Sequence, residues 1–169
     1  MGAATQTKLD RAALDRAGLV WAPEVRGALC HQLIGELCAR EITDPHAIEP
    51  HARALLPPGL AAVHHQALLS FLVPMAGSYL TRFARPGWRL QGSEVIVGGV
   101  ALDLLWERAG RLQADEVKSS VSTVLGWRER AAEQARAQAA AGRAHYGPVF
   151  EGVRVVALAV PEHGFWIAA

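Results

Sequence analysis

A chain of 169 residues, 51% of them hydrophobic, is long enough to bury the core of one domain and too apolar for a disordered tail. Its 17 lysines and arginines against 16 acids leave a net charge of +1, which neither demands nor excludes a nucleic-acid partner. Cys30 and Cys38 lie more than two turns apart on a predicted helix, which excludes a disulfide between them, and with no CxxC pair a cysteine-built zinc or iron–sulfur site is excluded too.

The cysteine pattern suits a reducing cytoplasm. The opening "MGAATQTKLD" has no apolar segment of the kind a signal peptide needs, and no apolar run reaches membrane-spanning length. In chain order, residues 9–22 form an amphipathic, Ala-rich pattern and predict a short helix. Pro23 suits the first turn of the next helix. There, Cys30, Leu33, Ile34, Leu37 and Cys38 recur at helical spacing. Four prolines between Ile42 and Leu60 predict a loop with at most broken helical turns. Residues 60–84 predict a second long helix, bent or broken around Pro74 and Gly77.

The period then changes to that of strands. Residues 94–97 and 100–106 predict two strands joined at Gly98-Gly99. "ERAG" predicts a turn, and "RLQADEVKSS" a third strand. A helix follows, with Ser119, Ser120 and Ser122 as candidate N-caps and Gly142 as its candidate terminal glycine. "GVRVVALAV" predicts a buried strand and "FWIAA" a short last one. We expect one α/β domain over 1–169: a mainly helical part over 1–87, then a mixed sheet with a right-handed crossover over 88–169.

Side chains on a strand alternate, so Glu116 and Lys118 should share one face and Asp115 the other, solvated or at a strand start. Pairing through the "ERAG" turn would bring Asp103 beside Glu116. Two carboxylates in an apolar sheet repel, and a divalent cation removes that penalty. Carboxylate oxygens and a backbone carbonyl suit Mg²⁺ or Mn²⁺. Taken alone, Glu116 and Lys118 read as an ion pair on an edge strand that contributes little. His31, taken alone, is a half-buried helix histidine with local hydrogen bonds. His64 and His65 are adjacent, point about 100° apart and do not chelate, so they are read as surface residues. No spacing argument supports His46 or His51. Trp88, Trp106, Trp127 and Trp166 are mostly candidates for the core. Arg128, Arg130, Arg136 and Arg143 line one helix, as a solvated face or a phosphate-contacting strip.

Asp103, a turn, then Glu116-Val117-Lys118 resembles the PD-(D/E)XK nuclease signature, and the element order resembles that superfamily's αβββαβ, restriction-endonuclease-like core. Leu102 stands where the strict form has proline. "GALCH", Gly27 to His31, resembles the GxxxH motif of the RecB-like and Cas4-like branch, with Gly27 permitting close backbone approach. Departures are a missing tyrosine in the Gln-x-x-x-Tyr motif, where this chain has Gln134 and then Gln138, and the absence of the Cas4 iron–sulfur cysteines.

The resemblance implies Mg²⁺- or Mn²⁺-dependent hydrolysis of DNA phosphodiesters in repair, recombination or defence. It implies that Asp103 and Glu116 hold the metal with the Val117 carbonyl and His31, and that Lys118 positions water and stabilises charge. Glu94 and Gln134 would be supporting residues, and Arg128, Arg130 and Arg136 DNA contacts. The alternatives are a catalytically inactive binding module on the same fold, or a subunit needing a protein partner. "FWIAA" is a possible pairing edge for another chain.

Overall fold

The computed structural model describes residues 22–120 and 125–169. All but the last residue of the helix expected over 9–22 lies outside this range, and so does the candidate cap Ser122. The first helix, α1 (Pro23–Ala39), starts at its proline after an extended Ala22. It buries Leu29, Cys30, Leu33, Ile34 and Leu37 along one stripe, as the spacing predicts. The close approach expected at Gly27 is made at Gly35 instead. A Cβ at Gly35 would lie 2.9 Å from the Ser93 side chain, whereas at Gly27 it would meet only Ser119 Oγ, at 3.6 Å.

The proline-rich stretch is more ordered than its composition suggests. It holds a 3₁₀ turn (Pro45–Ala47) and a helix, α2 (Ile48–Leu55). The Asp44 carboxylate accepts the His46 backbone N–H at 2.9 Å. Pro50 falls in the first turn of α2, where its missing N–H costs no ladder bond, and Pro57 and Pro58 lie beyond its end. The prolines therefore frame a helix rather than prevent one. The next helix, α3 (Ala62–Ser78), is not broken at Pro74 or Gly77. Pro74 faces solvent, so the helix tolerates the lost bond. The change comes later, as π-helical turns over Tyr79–Phe83.

Five strands follow: β1 (Arg89–Val97), β2 (Val100–Arg108), β3 (Arg111–Lys118), β4 (Phe150–Ala157) and β5 (Phe165–Ala168). They lie side by side in that order, and only β3 and β4 run parallel. The fold is thus α/β, a mixed sheet with flanking helices. β1 begins five residues earlier than expected. Gly98 and Gly99, with φ of 56° and 80°, form the first hairpin turn. Ala109 and Gly110, with φ of 51° and 77°, form the second.

The β3–β4 crossover carries the last helix, α4 (Trp127–Tyr146). None of the expected serines within the described residues caps it. Gly126 stands there with φ of 72°, and Ser120 accepts a hydrogen bond from the Trp127 indole at 3.2 Å. Nor does Gly142 end it, since α4 runs on to Tyr146 and stops at Gly147. Gly142 is small because the Phe150 ring occupies the space where a Cβ would sit, 2.5 Å away.

One apolar cluster packs α1, α2 and α3 against Leu104, Trp106, Val117 and Val156. A second packs α4 against the other face, at Leu102, Leu105, Ala114 and Val155. Trp106 and Trp127 belong to this core. Trp88 is half-buried, with the Arg85 and Arg108 guanidinium groups each about 5 Å from its ring centre. Trp166 on β5 is 43% exposed and does not join the core. Among the described residues, no helix is long and apolar enough to cross a membrane.

Asp115 is neither solvated nor at a strand start. It is fully buried at the centre of the sheet. Arg154 grips it with two bonds of 2.9 and 2.7 Å, Arg85 Nη2 donates at 2.5 Å, and the Tyr79 hydroxyl donates at 2.6 Å. With a longer bond from Arg85 Nε at 3.4 Å, these donors occupy the roughly four lone-pair positions of the carboxylate. Burial alone would raise its pKa, but the two arginines outweigh burial and hold the carboxyl below its ordinary value. Arg85 also bonds Gln113. The cluster ties β3, β4, the π turns and the segment before β1 together. Replacing Asp115 by Asn leaves two guanidinium groups without their anion, so Asp115→Asn should lose about 3–5 kcal/mol of unfolding free energy in urea titrations.

Candidate functional site

Strand β3 sorts its side chains by parity. Asp115 and Val117 face α1 and α3, while Glu116 and Lys118 face α4. Strand β2 does not keep this alternation. Leu104 packs with the α1–α3 cluster and Leu102 with the α4 cluster, although residues two apart on a regular strand share a face. The strand therefore turns over at Asp103, just past the last β2–β3 pair, Leu104 with Asp115. Opposite it on β1, between the pairs Ser93–Leu104 and Val95–Leu102, stands Glu94. Its φ is 52°, a left-handed conformation that costs a residue with a side chain about 1–3 kcal/mol. Two carboxylates thus face each other across an irregular hairpin.

The backbone of Val117 joins this pair to α1. Its N–H donates to Asp103 Oδ2 at 2.7 Å, replacing the ladder bond that β2 no longer offers. Its carbonyl accepts from His31 Nε2 at 2.8 Å. A carbonyl only accepts, so the Nε2 atom carries the proton. The other ring nitrogen, Nδ1, lies 3.5 Å from Glu94 Oε1 and 3.7 Å from Asp103 Oδ2. One ligand atom from each of His31, Glu94 and Asp103 falls within 4.8 Å of the others, the single such cluster of three among the described residues.

Burial alone would lower the His31 pKa, but the hydrogen bond to Glu94 and the charges of Asp103 and Glu94 raise it to about 9. Burial holds the Asp103 carboxyl above its ordinary value, with the His31 charge opposing and the Glu116 charge adding. The imidazolium is therefore the counter-ion of the two carboxylates.

Glu116 lies outside this cluster. Its side chain is 1% exposed, and its two oxygens are bonded to Lys118 Nζ and Gln138 Nε2. The Lys118 ammonium also donates to Gln134 Oε1 at 2.7 Å. The structure thus gathers the expected residues into two neighbouring groups. His31, Glu94, Asp103 and the Val117 carbonyl form one. Glu116, Lys118 and Gln134 form the other.

Gln138 belongs to the second group, although the motif resemblance gave it no role. Its amide orientation is forced, because both neighbours, Glu116 and the Ala101 carbonyl at 2.8 Å, are acceptors. The signal for it was present. Gln138 interrupts a buried stripe of Ala131, Ala135, Ala139 and Gly142 on α4, where a lone polar residue needs a partner.

Arg128 lies over the Phe165 ring, 4.6 Å from its centre, Arg130 donates to the Leu125 carbonyl at 3.3 Å, and Arg136 is exposed. His64 and His65 are half-buried, and His51 lies 3.9 Å from Glu36. Comparisons with protein-family models, with curated proteins and with solved structures returned no match.

The raised His31 pKa has a consequence for stability. Its protonated form is favoured by folding, so the contribution is full below the ordinary value of 6.5 and disappears as pH rises through about 9. The raised Asp103 value acts in the same direction. In EDTA, the urea midpoint should fall between pH 7 and pH 9.5, and the fall should be shallower in His31→Gln.

Proposed function

We propose that the protein is a divalent-metal-dependent nuclease that hydrolyses DNA phosphodiester bonds, in the manner of the PD-(D/E)XK superfamily. The observation that carries this reading is the convergence of His31, Glu94 and Asp103 within 4.8 Å, tied to β3 by the peptide groups of Val117, which stands between Glu116 and Lys118. The donor set fits the implied ion. Carboxylate oxygens are hard ligands suited to Mg²⁺ or Mn²⁺, and an imidazole nitrogen tips the set towards Mn²⁺. A bound ion of this kind acts as a Lewis acid towards a phosphoryl oxygen and makes hydroxide available near neutral pH.

The remaining roles fall to the chain's own groups. The Val117 carbonyl fixes the imidazole ring, so that Nδ1 is aimed at the two carboxylates. The Asp103 carboxylate is held by the Val117 N–H, which fixes its direction beside His31. Lys118 has three N–H donors; Glu116 and Gln134 take two. The third is available to orient the attacking water and offset the negative charge that builds on the phosphate. Gln134 restrains the ammonium so that this donor keeps its direction.

One observation favours a second reading. The His31 imidazolium already neutralises the carboxylates, so the fold does not need a metal to hold them together. A catalytically inactive binding module on the same scaffold would look like this.

One assay separates the two. Purified protein is incubated with linear and circular DNA, single- and double-stranded, in Mn²⁺ or EDTA. Cleavage should require Mn²⁺ and fall about 100-fold or more in Lys118→Ala, the scale expected for losing one donor to developing charge. Cleavage that survives in EDTA, or in Lys118→Ala, contradicts the proposal. Binding without cleavage favours the second reading.

A further inference from the structure

We infer that the two glutamates divide the work of this site: Glu94 is the carboxylate that joins His31 and Asp103 around the metal ion, and Glu116 is a positioning residue that holds Lys118. This rests on the metal-dependent reading above, and it departs from the sequence pattern, in which Glu116 is the metal ligand.

The two residues differ in every property that matters to a ligand. Glu116 is 1% exposed and points to the α4 side, and each of its oxygens already has a donor, the Lys118 ammonium on one and the Gln138 amide on the other. A divalent cation at Glu116 would meet an ammonium bonded to the same carboxylate, and two positive charges at that range repel strongly in a buried site. Displacing the Gln138 amide would add a second cost. With its N–H groups turned away from Glu116, a buried amide would lose a partner, and its Oε1 already has none.

Glu94 differs in the nature of its cationic partner, because loss of the Nδ1 proton turns His31 from a competing charge into a neutral ligand. Its side chain is 57% exposed, and Oε1 faces His31 Nδ1. It stands in register with Asp103, so the two carboxylates reach one point from opposite strands of a hairpin. An ion there would gain a carboxylate from β1, a carboxylate from β2 and an imidazole from α1, three elements already held together by packing. Across the Val117 peptide, Glu116 does for Lys118 what a peptide carbonyl does for His31: it restricts a flexible group to one direction. Four rotatable bonds of lysine are otherwise free to wander.

The test is Mn²⁺ binding by the full chain, measured by calorimetry and by electron paramagnetic resonance of free Mn²⁺, with cleavage assayed separately. Glu94→Gln should weaken Mn²⁺ binding by at least about tenfold. Glu116→Gln should leave Mn²⁺ binding unchanged while changing the environment of Lys118. The latter is read directly, because Lys8 and Lys118 are the only lysines. Selective ¹³C,¹⁵N-lysine labelling gives two side-chain signals, assigned with Lys8→Arg. The Lys118 Nζ signal should change its chemical shift in Glu116→Gln and keep that of the unsubstituted protein in Glu94→Gln.

If buried Glu116→Gln does not fold, Glu116→Asp, which keeps the charge but shortens the reach, takes its place with the same expected results. Mn²⁺ binding that is unaltered in Glu94→Gln, or weakened equally in the Glu116 variant, overturns the inference, as does a protein that binds no Mn²⁺. The nuclease reading fails separately. Reversed glutamate roles with Mn²⁺-dependent cleavage would sink only the inference, and the expected binding pattern without cleavage would sink only the nuclease.

Discussion

The structure is organised around one buried anion. Asp115 lies at the centre of the middle strand and is met by two guanidinium groups and a phenol from three other parts of the chain. Because strand side chains alternate, its position dictates the rest of β3. A slip of one residue would carry Asp115 to the largely apolar α4 face and move Val117 out of the α1–α3 cluster. Such a slip is prohibitively costly, so the register is fixed. With it are fixed the α4-facing orientation of Glu116 and Lys118 and the direction of the Val117 peptide. Removing the anion would disturb the candidate site without touching any of its residues.

Val117 is the hinge between the two halves of that site. Its side chain is core, and its peptide groups serve Asp103 on one side and His31 on the other. A residue with no chemistry of its own therefore aligns an acid, an imidazole and, through its neighbours, a glutamate and a lysine. This works because β2 leaves the ladder at Asp103. If β2 continued regularly, the Val117 N–H would have a backbone partner and the Asp103 carboxylate would have no reason to be held there.

Much of this was legible locally. The hairpin glycines, the helical stripe of α1, and the shared face of Glu116 and Lys118 follow from spacing alone. What escaped depended on residues far apart in the chain. Asp115 looks like one more polar residue before a strand's end until Arg85, 30 residues before it, and Arg154, 39 after it, come into contact. Gly142 resembles a helix terminator because its packing partner, Phe150, lies beyond the helix. The prolines near residue 50 suggest a loop because composition does not reveal that one falls in a first turn and the others outside. Glu94 was legible as an acid on the first strand, but no letter code marks a left-handed backbone. The turnover of β2 at Asp103 was invisible for the same reason.

The backbone at Glu94 also sets stability against chemistry at a single position. A φ of 52° suits glycine, and asparagine tolerates it, far better than it suits glutamate. Drift to either residue would relax the hairpin and make the protein sturdier while deleting a carboxylate from beside His31. A lineage that no longer needed that carboxylate would have every energetic reason to lose it. The amino acid found here in any descendant or designed variant thus records whether that chain is still paying strain to keep its acid.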